Sequence, residues 1–509
     1  MTRTSRPSLS EFVLGLVFPK RKQAITRKSK PCLKTPIWHK LTLADCSVFP
    51  IHIVAGYIST THSTTLDNNH RLDNYLTHPS NMSRLSNSSH SSLSSLAESS
   101  APFSPDTAYS PPTSPSVETF GLAEYYPLDD GKVYVMVIGG LGYIGSHTTL
   151  ELLKEGYNVI VIDDLSNCFE NVLDRIRLLA ADHCRSNGIF LPSLRFHKLD
   201  YKSPAMHRLF ATYNARRSII SGVIHFAAFK SVSESIDNPL AYYKNNVGGL
   251  VDLLMTVQQN GIKNFVFSSS ATVYGSKANE GKPLREQDLV HFDEVTTDEE
   301  GNQSVRPNGT LGLTSPYGRT KYFSEAILAD MARADPTMRI TALRYFNPVG
   351  CHPSGLLRED PRQKPTNLFP VIASVIKGSK STLEIFGSDW ETRDGTAVRD
   401  FIHVVDLARG HVAALAATNS QSSRTSAFET YNLGTGNGMS VAEVVESFEK
   451  ASNIKVPAVR APRRKGDVGS CIAATESAEK NLGFTTARGV DECCRDTWKA
   501  LNMPIADYC

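Results

Sequence analysis

The stretch VYVMVI (133–138) runs directly into GGLGYIG (139–145), and this junction decides the fold. The first half is a short apolar run, which predicts a strand buried on both faces. Glycines at 139, 142 and 145 then allow a tight turn and a close approach to a pyrophosphate. Residues 146–154 predict a helix whose N-terminus would face that anion. Strand, glycine turn and helix in this order are typical of a dinucleotide-binding unit.

A second buried strand is predicted at 159–162, ending at Asp163 about 20 residues after the glycines. A carboxylate there can accept hydrogen bonds from an adenosine ribose 2′-hydroxyl and would repel a 2′-phosphate, so NAD is predicted rather than NADP. Apolar runs at 222–226 and 264–268 alternate with helical patterns at 240–260 and 321–334. This alternation predicts an α/β fold built on a doubly wound, Rossmann-like parallel sheet.

Composition divides the chain into three predicted parts. Residues 1–130 are rich in serine and proline and poor in large apolar side chains, which predicts a disordered extension. Its basic first 40 residues leave open a transit peptide or a variable extension. Residues 131–346 are predicted to form the dinucleotide-binding domain. Residues 347–509, richer in glycine and proline, are predicted to form a smaller mixed α/β substrate domain, with segments returning to the first.

The bulk composition limits the partners. The net charge of +3 over 509 residues gives no reason to expect a nucleic-acid partner. We expect no membrane association, because no apolar run reaches the ~18–20 residues that span a bilayer. Nine scattered cysteines without a CxxC motif predict reduced thiols and a cytoplasmic location. The spacing of histidine and cysteine predicts no metal site.

Tyr317 and Lys321 form a YxxxK pair on a predicted helix that begins near Pro316. Four residues apart, they share one face of that helix. A free phenol has a pKa near ~10. A lysine ammonium and a nicotinamide cation would both lower that pKa, so Tyr317 could take the proton of a sugar hydroxyl as hydride leaves the same carbon. Ser270, directly after a predicted strand, could bind the reacting oxygen. Without the glycine turn, an exposed helix pair would be the better interpretation of YxxxK.

Seven stretches resemble, in the same order, motifs of the extended short-chain dehydrogenase/reductase family, and within it the UDP-glucose (galactose) 4-epimerases. They cover most of the chain after Lys132, and their combination is far more specific than any one of them. The stretches are GGLGYIGSH (139–147), HFAAFKSVSES (225–235), FSSSATVYG (267–275), SPYGRTK (315–321), LRYFNPVG (343–350), VRDFIHV (398–404) and APRRKGD (461–467).

The resemblance implies an isomerase that uses NAD to oxidise a UDP-sugar at C4 and to reduce it again from the opposite face. It implies UDP-glucose and UDP-galactose as substrates, residues 347–509 as the UDP-sugar-binding domain, and a homodimer as the common assembly. Ser270, Tyr317 and Lys321 match the catalytic set. Cys471 stands where some members have a bulky tyrosine. UDP-N-acetylglucosamine and UDP-N-acetylgalactosamine are therefore expected as further substrates, with simple packing as the alternative role of Cys471.

The resemblance also implies contact residues for both ligands. Those for NAD are Gly139, Gly142, Tyr143, Ile144, Gly145, Asp163, Asp164, Leu165, Ser166, Asn167, Cys168, Asp200, Tyr201, Phe226, Ala227, Lys230, Asn245, Tyr317, Lys321 and Phe346. Those for the UDP-sugar are Ser270, Tyr317, Asn347, Asn367, Phe386, Arg399, Arg464, Asp467 and Cys471. Two arginines suit a diphosphate because a guanidinium binds it in bidentate fashion.

Two other functions stay open. A nucleotide-sugar dehydratase or decarboxylase of the same fold usually needs a further acid, often Asp-Glu after a threonine, where this chain reads Ser270-Ala271-Thr272. A non-enzymatic sensor of NAD or a sugar nucleotide would not need all three catalytic groups. The long gap between Ser270 and Tyr317 is expected to hold an exposed polar loop at residues 298–312.

Overall fold

Strands and helices alternate from the first described residue onward. The computed structural model describes residues 130–215, 219–298, 300–360, 362, 366–419 and 426–503. The predicted disordered extension, up to residue 129, lies outside them. The strands are β1 (Val133–Ile138), β2 (Asn158–Asp163), β3 (Leu194–Lys198), β4 (Ile219–His225), β5 (Asn264–Ser270), β6 (Glu294–Thr297), β7 (Gln303–Arg306), β8 (Arg339–Tyr345), β9 (Asn347–Val349), β10 (Leu383–Phe386), β11 (Val398–His403), β12 (Phe428–Leu433), β13 (Gly438–Ser440), β14 (Ala458–Ala461) and β15 (Ser470–Cys471).

The helices flank these strands. They are α1 (Tyr143–Lys154), α2 (Val172–Asn187), α3 (Pro204–Ala215), α4 (Val232–Asp237), α5 (Pro239–Tyr242), α6 (Gly249–Gln259), α7 (Pro316–Ala334), α8 (Leu368–Ile376), α9 (Val404–Asn419), α10 (Val441–Ser452), α11 (Glu476–Leu482) and α12 (Val490–Asn502). A π-helical turn at Tyr243–Gly248 leads into α6, and Ala271–Glu280 and Glu286–Asp288 are 3₁₀-helical. In the described ranges, no helix is both long enough and apolar enough to cross a bilayer.

Seven parallel strands form the central sheet in the order β12-β8-β5-β4-β1-β2-β3. The chain starts at β1, moves outward through β2 and β3, and then crosses back to β4 on the other side of β1. Such a reversal opens a crevice at the carboxyl ends of the strands, where doubly wound folds bind their ligands. The predicted Rossmann-like α/β fold is confirmed.

The sheet buries apolar side chains on both faces. On one face Leu150 and Leu152 of α1 pack with Leu415 of α9. On the other, Phe210 of α3 and Leu253 of α6 lie in a second cluster. All five are almost fully buried, and each burial of this kind contributes roughly 1.5–3 kcal/mol. Two packed faces hold the carboxyl ends of the strands rigidly in place.

A second, smaller layer follows the large sheet. Strand β11 pairs with β9, β13 and β15, and β10 pairs with β14. Helices α8, α10 and α12 cover these strands around a third apolar cluster that includes Phe369 and Phe448. Strand β12, although late in the chain, forms the outer strand of the large sheet beside β8. The division into domains at residue 346 stays a prediction.

The segment between Ser270 and Tyr317 contains a β-hairpin rather than only the expected loop. Strands β6 and β7 pair in antiparallel fashion, with Val295 opposite Val305. Asp298 closes the turn by accepting hydrogen bonds from Asn302 at 2.7 and 3.0 Å. Both valines are more than 60% exposed, so the hairpin stands out from the body of the protein. Alternating β-branched residues around a turn were the signal for this hairpin.

Candidate active site

One large cavity of about 1230 Å³ opens at the carboxyl ends of β1, β4, β5 and β8. It reaches from the glycine turn across the large sheet to the loops around β11 and β14. Every predicted cofactor and substrate residue lines it, except Leu165 and Asp200. A cavity of this size and length can hold two nucleotide ligands end to end.

The glycine turn brings backbone atoms unusually close together. Gly139 has a φ of +78°, which favours glycine, and a Cβ on Gly145 would stand 2.1 Å from the Gly139 carbonyl oxygen. Helix α1 begins directly after Gly142, so its free backbone N–H groups face the cavity. Side chains larger than hydrogen would separate helix from strand and fill the space that a pyrophosphate needs. The turn therefore fits the phosphates of a dinucleotide.

Asp163 braces this turn. Its carboxylate accepts hydrogen bonds from the backbone N–H of Leu141 and of Leu165, both at 3.0 Å, and from the Cys168 thiol at 3.2 Å. Burial raises the pKa of Asp163, while these hydrogen bonds lower it. Leu165 itself is buried with a φ of +60°, so it shapes the loop instead of lining the cavity. The predicted contact between Asp163 and a ribose stays a prediction.

The structure brings one of the two residues predicted to flank adenine to the cavity wall. Tyr201 lines it, and its hydroxyl donates to the Asn245 carbonyl at 2.7 Å. Asp200 is not among the lining residues and pairs with Lys202 at 2.8 Å. The Lys202 ammonium lies 4.8 Å from the centre of the Tyr201 ring and takes part in the cavity wall. Sequence reasoning missed Lys202, although a cation next to a predicted adenine contact was a usable signal.

The three predicted catalytic residues meet at the end of β5. Ser270 is its last residue, and its hydroxyl hydrogen-bonds Tyr317 on the first turn of α7. The Ser270 oxygen also accepts from the Thr272 hydroxyl at 3.0 Å. Lys321, one turn further along α7, is buried, and its ammonium donates to the Ser268 carbonyl. The alternative interpretation of YxxxK, an exposed pair on a helix without a catalytic role, is therefore wrong.

The pKa of Tyr317 moves opposite to the expectation. Burial raises it to about 12, and the Ser270 hydrogen bond lowers it only in part. Burial also lowers the pKa of Lys321 to about 7, against the attraction of Glu325. The sequence argument counted the neighbouring ammonium, which is not among the causes of the Tyr317 shift, and left out desolvation, which is the largest cause. Proton removal by Tyr317 stays a prediction, and a phenol with this raised pKa would need positive charge from a bound ligand to act as a base near pH 7.

Asp467 lies between the two predicted diphosphate arginines. It pairs with Arg399 at 3.3 Å and with Arg464 at 2.9 Å. The Arg464 guanidinium also stacks 4.8 Å from the centre of the Phe386 ring. An acid between two arginines fixes both guanidinium groups while leaving donors free for an anion.

Glu359 connects the two predicted contact sets. It pairs with Lys230 at 2.8 Å and accepts from the Asn367 amide at 2.9 Å. Asn347 and Cys471 line the same half of the cavity. Strand β15 places Cys471 beside Arg399, its β11 partner. Glu359 was missed because it lies in an irregular segment without a pattern of its own.

No group of three or more histidine, cysteine or acidic side chains that could hold a metal occurs in the part of the chain described. The cavity is lined by hydroxyls, amides, arginines and lysines, which suit phosphates and sugars, and by carboxylates such as Asp163, Glu359 and Asp467. A glycine turn at a helix N-terminus, with Ser, Tyr and Lys at the neighbouring strand end, defines a nucleotide-dependent oxidoreductase-type site on a Rossmann-like fold.

The chain belongs to the NAD dependent epimerase/dehydratase family, whose model matches residues 135–434. It is 45% identical over 372 residues to UDP-glucose 4-epimerase 2 of Arabidopsis thaliana, which covers 73% of this chain and 95% of that protein. Among solved structures, the UDP-glucose-4-epimerase of Stenotrophomonas maltophila with NAD and formylated UDP-arabinopyranose is similar, at 38% identity and a TM-score of 0.62 over 72% of this chain and 97% of that one. The UDP-glucose 4-epimerase of Bifidobacterium longum with NAD+ and UDP matches at 39% identity and a TM-score of 0.61, over 72% and 98%. The predicted family is confirmed.

Proposed function

We propose that this protein is an NAD-dependent UDP-glucose 4-epimerase, an isomerase that interconverts UDP-glucose and UDP-galactose. The observation that carries the proposal is the meeting of Ser270, Tyr317 and Lys321 in the cavity that begins at the glycine turn. Relatives and structural neighbours with this named activity support it. Ala271 follows Ser270 where dehydratases usually carry an acidic pair, so dehydration is not favoured.

Each catalytic side chain has one task in this proposal. Tyr317 accepts the proton of the sugar O4 hydroxyl and later returns it. Ser270 holds the reacting oxygen, and Lys321 supplies positive charge that favours the phenolate. Bound NAD would take the hydride from C4 and give it back. The chain offers Gly139, Gly142 and Gly145 for its pyrophosphate, and Tyr201 for its adenine.

Epimerisation also requires that the sugar turn over between the two hydride transfers. Arg399, Arg464 and Asp467 lie at the far end of the cavity from the glycine turn and hold the UDP part. Anchoring the nucleotide leaves the sugar free to rotate about its phosphate linkage. The rotated sugar can then present either face of its C4 atom to the residues around Tyr317.

The test is conversion of UDP-galactose by the purified chain, followed by separation of the two sugar nucleotides, with an absorbance scan for bound NAD(H). We expect turnover without added oxidant, and a loss of about 10²–10⁴-fold in kcat for Tyr317→Phe. Thr272→Ser, which keeps the hydroxyl beside Ser270, is the matched control and should stay within a few fold. A wild-type protein that binds UDP-galactose but forms no UDP-glucose would refute the proposal.

We infer that UDP-N-acetylglucosamine and UDP-N-acetylgalactosamine are also substrates. Cys471 lines the substrate half of the cavity with a side chain much smaller than tyrosine. Space beside the sugar C2 would then remain for an acetamido group. Cys471→Tyr should abolish turnover of the acetylated pair and keep that of the plain pair, whereas Cys471→Ala should keep both. No turnover of acetylated sugars by the wild type would end this inference.

We infer a homodimer formed through α6 and α7. Tyr243, Val247, Val251 and Met255 repeat every four residues along one side of the π-helical turn and α6. Phe323 on α7 packs beside Tyr243, with ring centres 6.2 Å apart, and is 43% exposed. An apolar stripe shared by two helices is self-complementary in a two-fold dimer.

Light scattering during gel filtration checks this inference. Met255→Arg should give a monomer, while Val295→Arg, which changes an exposed valine on the hairpin, should leave the dimer intact. A monomeric wild type, or a dimeric Met255→Arg variant, would contradict it.

We further propose that the protein is located in the cytoplasm, a reducing compartment, since Cys168, Cys184, Cys351, Cys471, Cys493 and Cys494 are all free thiols. Its recovery in an organelle fraction would overturn this location.

A further inference from the structure

Three consecutive residues of β5 contact one face of α7. The Ser268 carbonyl accepts from the Lys321 ammonium, the Ser269 hydroxyl donates to the Glu325 carboxylate, and the Ser270 hydroxyl bonds Tyr317. Along α7 these partners are spaced by four residues, so they lie one above another on the same side. The catalytic pair thus forms the first two members of a series whose third member is Glu325.

Glu325 is fully buried and completely paired. Its carboxylate accepts from the Arg344 guanidinium on β8, at 2.8 Å to Nη2 and 3.2 Å to Nε. His291 Nε2 lies 2.9 Å from Oε2 of the same carboxylate, the oxygen that also accepts from Arg344 Nη2. Arg344 is also fully buried and donates to the Tyr274 hydroxyl at 3.2 Å and to the Leu289 carbonyl at 3.1 Å. Helix, strand and the segment before the hairpin are therefore joined at one carboxylate.

A fully buried ion pair is a poor means of stabilising a fold. The free energy needed to remove two charges from water offsets much of the free energy gained from their attraction. Well-packed apolar side chains in the same place often stabilise a fold equally well. Stability alone therefore does not account for Glu325 and Arg344 directly behind the catalytic residues. Their place in the series points to a part in the reaction.

We propose that Glu325 is a positioning residue for the reaction. Its carboxylate, held by Arg344, fixes Ser269 and so the end of β5, from which Ser268 and Ser270 hold Lys321 and Tyr317. Its charge favours the protonated form of Lys321, which lies one turn along α7 from Tyr317. This inference rests on the catalytic roles proposed above and adds to them a residue that touches neither ligand.

The charges that face Lys321 are few in the described structure. On α7, Tyr317 and Glu325 stand one turn to either side. From β5 come the Ser268 carbonyl and the Phe267 ring, whose centre is 4.8 Å from the ammonium. From β4 comes His225, whose pKa burial lowers to about 3, so it is neutral near pH 7. Glu325 is the acid that raises the pKa of Lys321 against burial.

The experiment compares three variants of the full chain with UDP-galactose as substrate. Ser269→Ala removes the link between strand and helix but keeps the charge. Glu325→Gln removes the negative charge and keeps the shape of the side chain. Ser324→Ala, the control, deletes a buried hydroxyl on α7 that has no hydrogen-bond partner among the described residues. Steady-state kcat and KM are measured from pH 6 to 10, beside thermal unfolding and the amount of bound NAD.

We expect Ser269→Ala to lower kcat about tenfold with little change in KM, because one buried hydrogen bond that sets the geometry is lost. Glu325→Gln should lower kcat at least as much. It should also move the alkaline limb of the kcat profile about one pH unit lower, because Lys321 loses its proton more readily. Ser324→Ala should match the wild type.

The inference is overturned if both variants keep the wild-type kcat and pH profile, even when they unfold at lower temperature. If Glu325→Gln does not fold, Ser269→Ala alone decides, through kcat at constant KM. An inactive wild type, by contrast, would contradict the epimerase proposal. An active wild type with unaffected variants contradicts only the role of Glu325.

Discussion

Replacing Gly145 by alanine would place a Cβ atom 2.1 Å from the Gly139 carbonyl oxygen and 2.9 Å from the Gly140 Cα. Both atoms belong to the backbone, so no flexible side chain can move aside. To reach even 3.0 Å, α1 would have to shift by about 0.9 Å from β1, against the packing of Leu150 and Leu152. Overpacking of this kind costs about 1–3 kcal/mol, and a clash between two backbone segments belongs at the upper end.

Urea unfolding and the NAD content of the purified protein measure the effect. We expect Gly145→Ala to lower the unfolding midpoint and to lose bound NAD. Two controls separate the causes. At Gly489 a Cβ meets nothing within 4 Å, but this residue is the N-cap of α12, where alanine is less favourable than glycine. Gly489→Ala should therefore keep the NAD content and lower the unfolding midpoint less than Gly145→Ala. At Gly142 the nearest atom is 3.4 Å away, so Gly142→Ala should fold normally but bind NAD less well, because its methyl group would enter the part of the cavity proposed for the pyrophosphate. A Gly145→Ala protein with wild-type midpoint and NAD content would refute the steric reasoning.

Three further outcomes are expected. His225 has a pKa lowered to about 3 by burial, against about 6.5 when unfolded. As the pH falls, the imidazole is therefore protonated in the unfolded chain before it is protonated in the folded one, and the free energy of unfolding should fall by about 2 kcal/mol between pH 7.5 and 5. Urea titrations of His225→Phe should show a shallower fall over the same pH range, and an equal fall would contradict this. Arg399→Lys should raise the KM for UDP-galactose about tenfold with kcat nearly unchanged, because bidentate contacts are lost; an unchanged KM would argue against a diphosphate contact. Replacing the hairpin 294–306 by a short glycine-serine turn should leave unfolding and kcat unaltered, since β6 and β7 pair with no further strand in the part of the chain described. A lower kcat would show that the hairpin acts on the cavity.

Much of the fold could be predicted because local signals and the global fold agree. The apolar run 133–138, the glycine turn and the helix after it occur where expected, and the alternation of strands and helices predicts the parallel sheet, though not the order of its strands. The positions of Tyr317 and Lys321 four residues apart also fix their common helix face. These features depend on residues close in sequence, and sequence patterns describe those well.

Other features depend on residues far apart in the chain. The raised pKa of Tyr317 arises from burial by the whole cavity wall, which a helix pattern does not contain. The pairing of Asp467 with Arg399 joins β11 to a loop 68 residues later. Glu325 looks like an ordinary helix residue until Arg344 of β8 is placed against it. Such long-range electrostatic partners require the assembled structure.

Strand β12 has a consequence for how the protein is made. The large sheet is closed on one side by residues 428–433, which pair with β8 more than 80 positions earlier. While the ribosome is still adding the residues between them, β8 offers an open edge of unpaired backbone groups to its surroundings. The nascent sheet is thus complete only late in synthesis. Between the synthesis of β8 and that of β12, its exposed edge is the surface that chaperones would need to shield from aggregation.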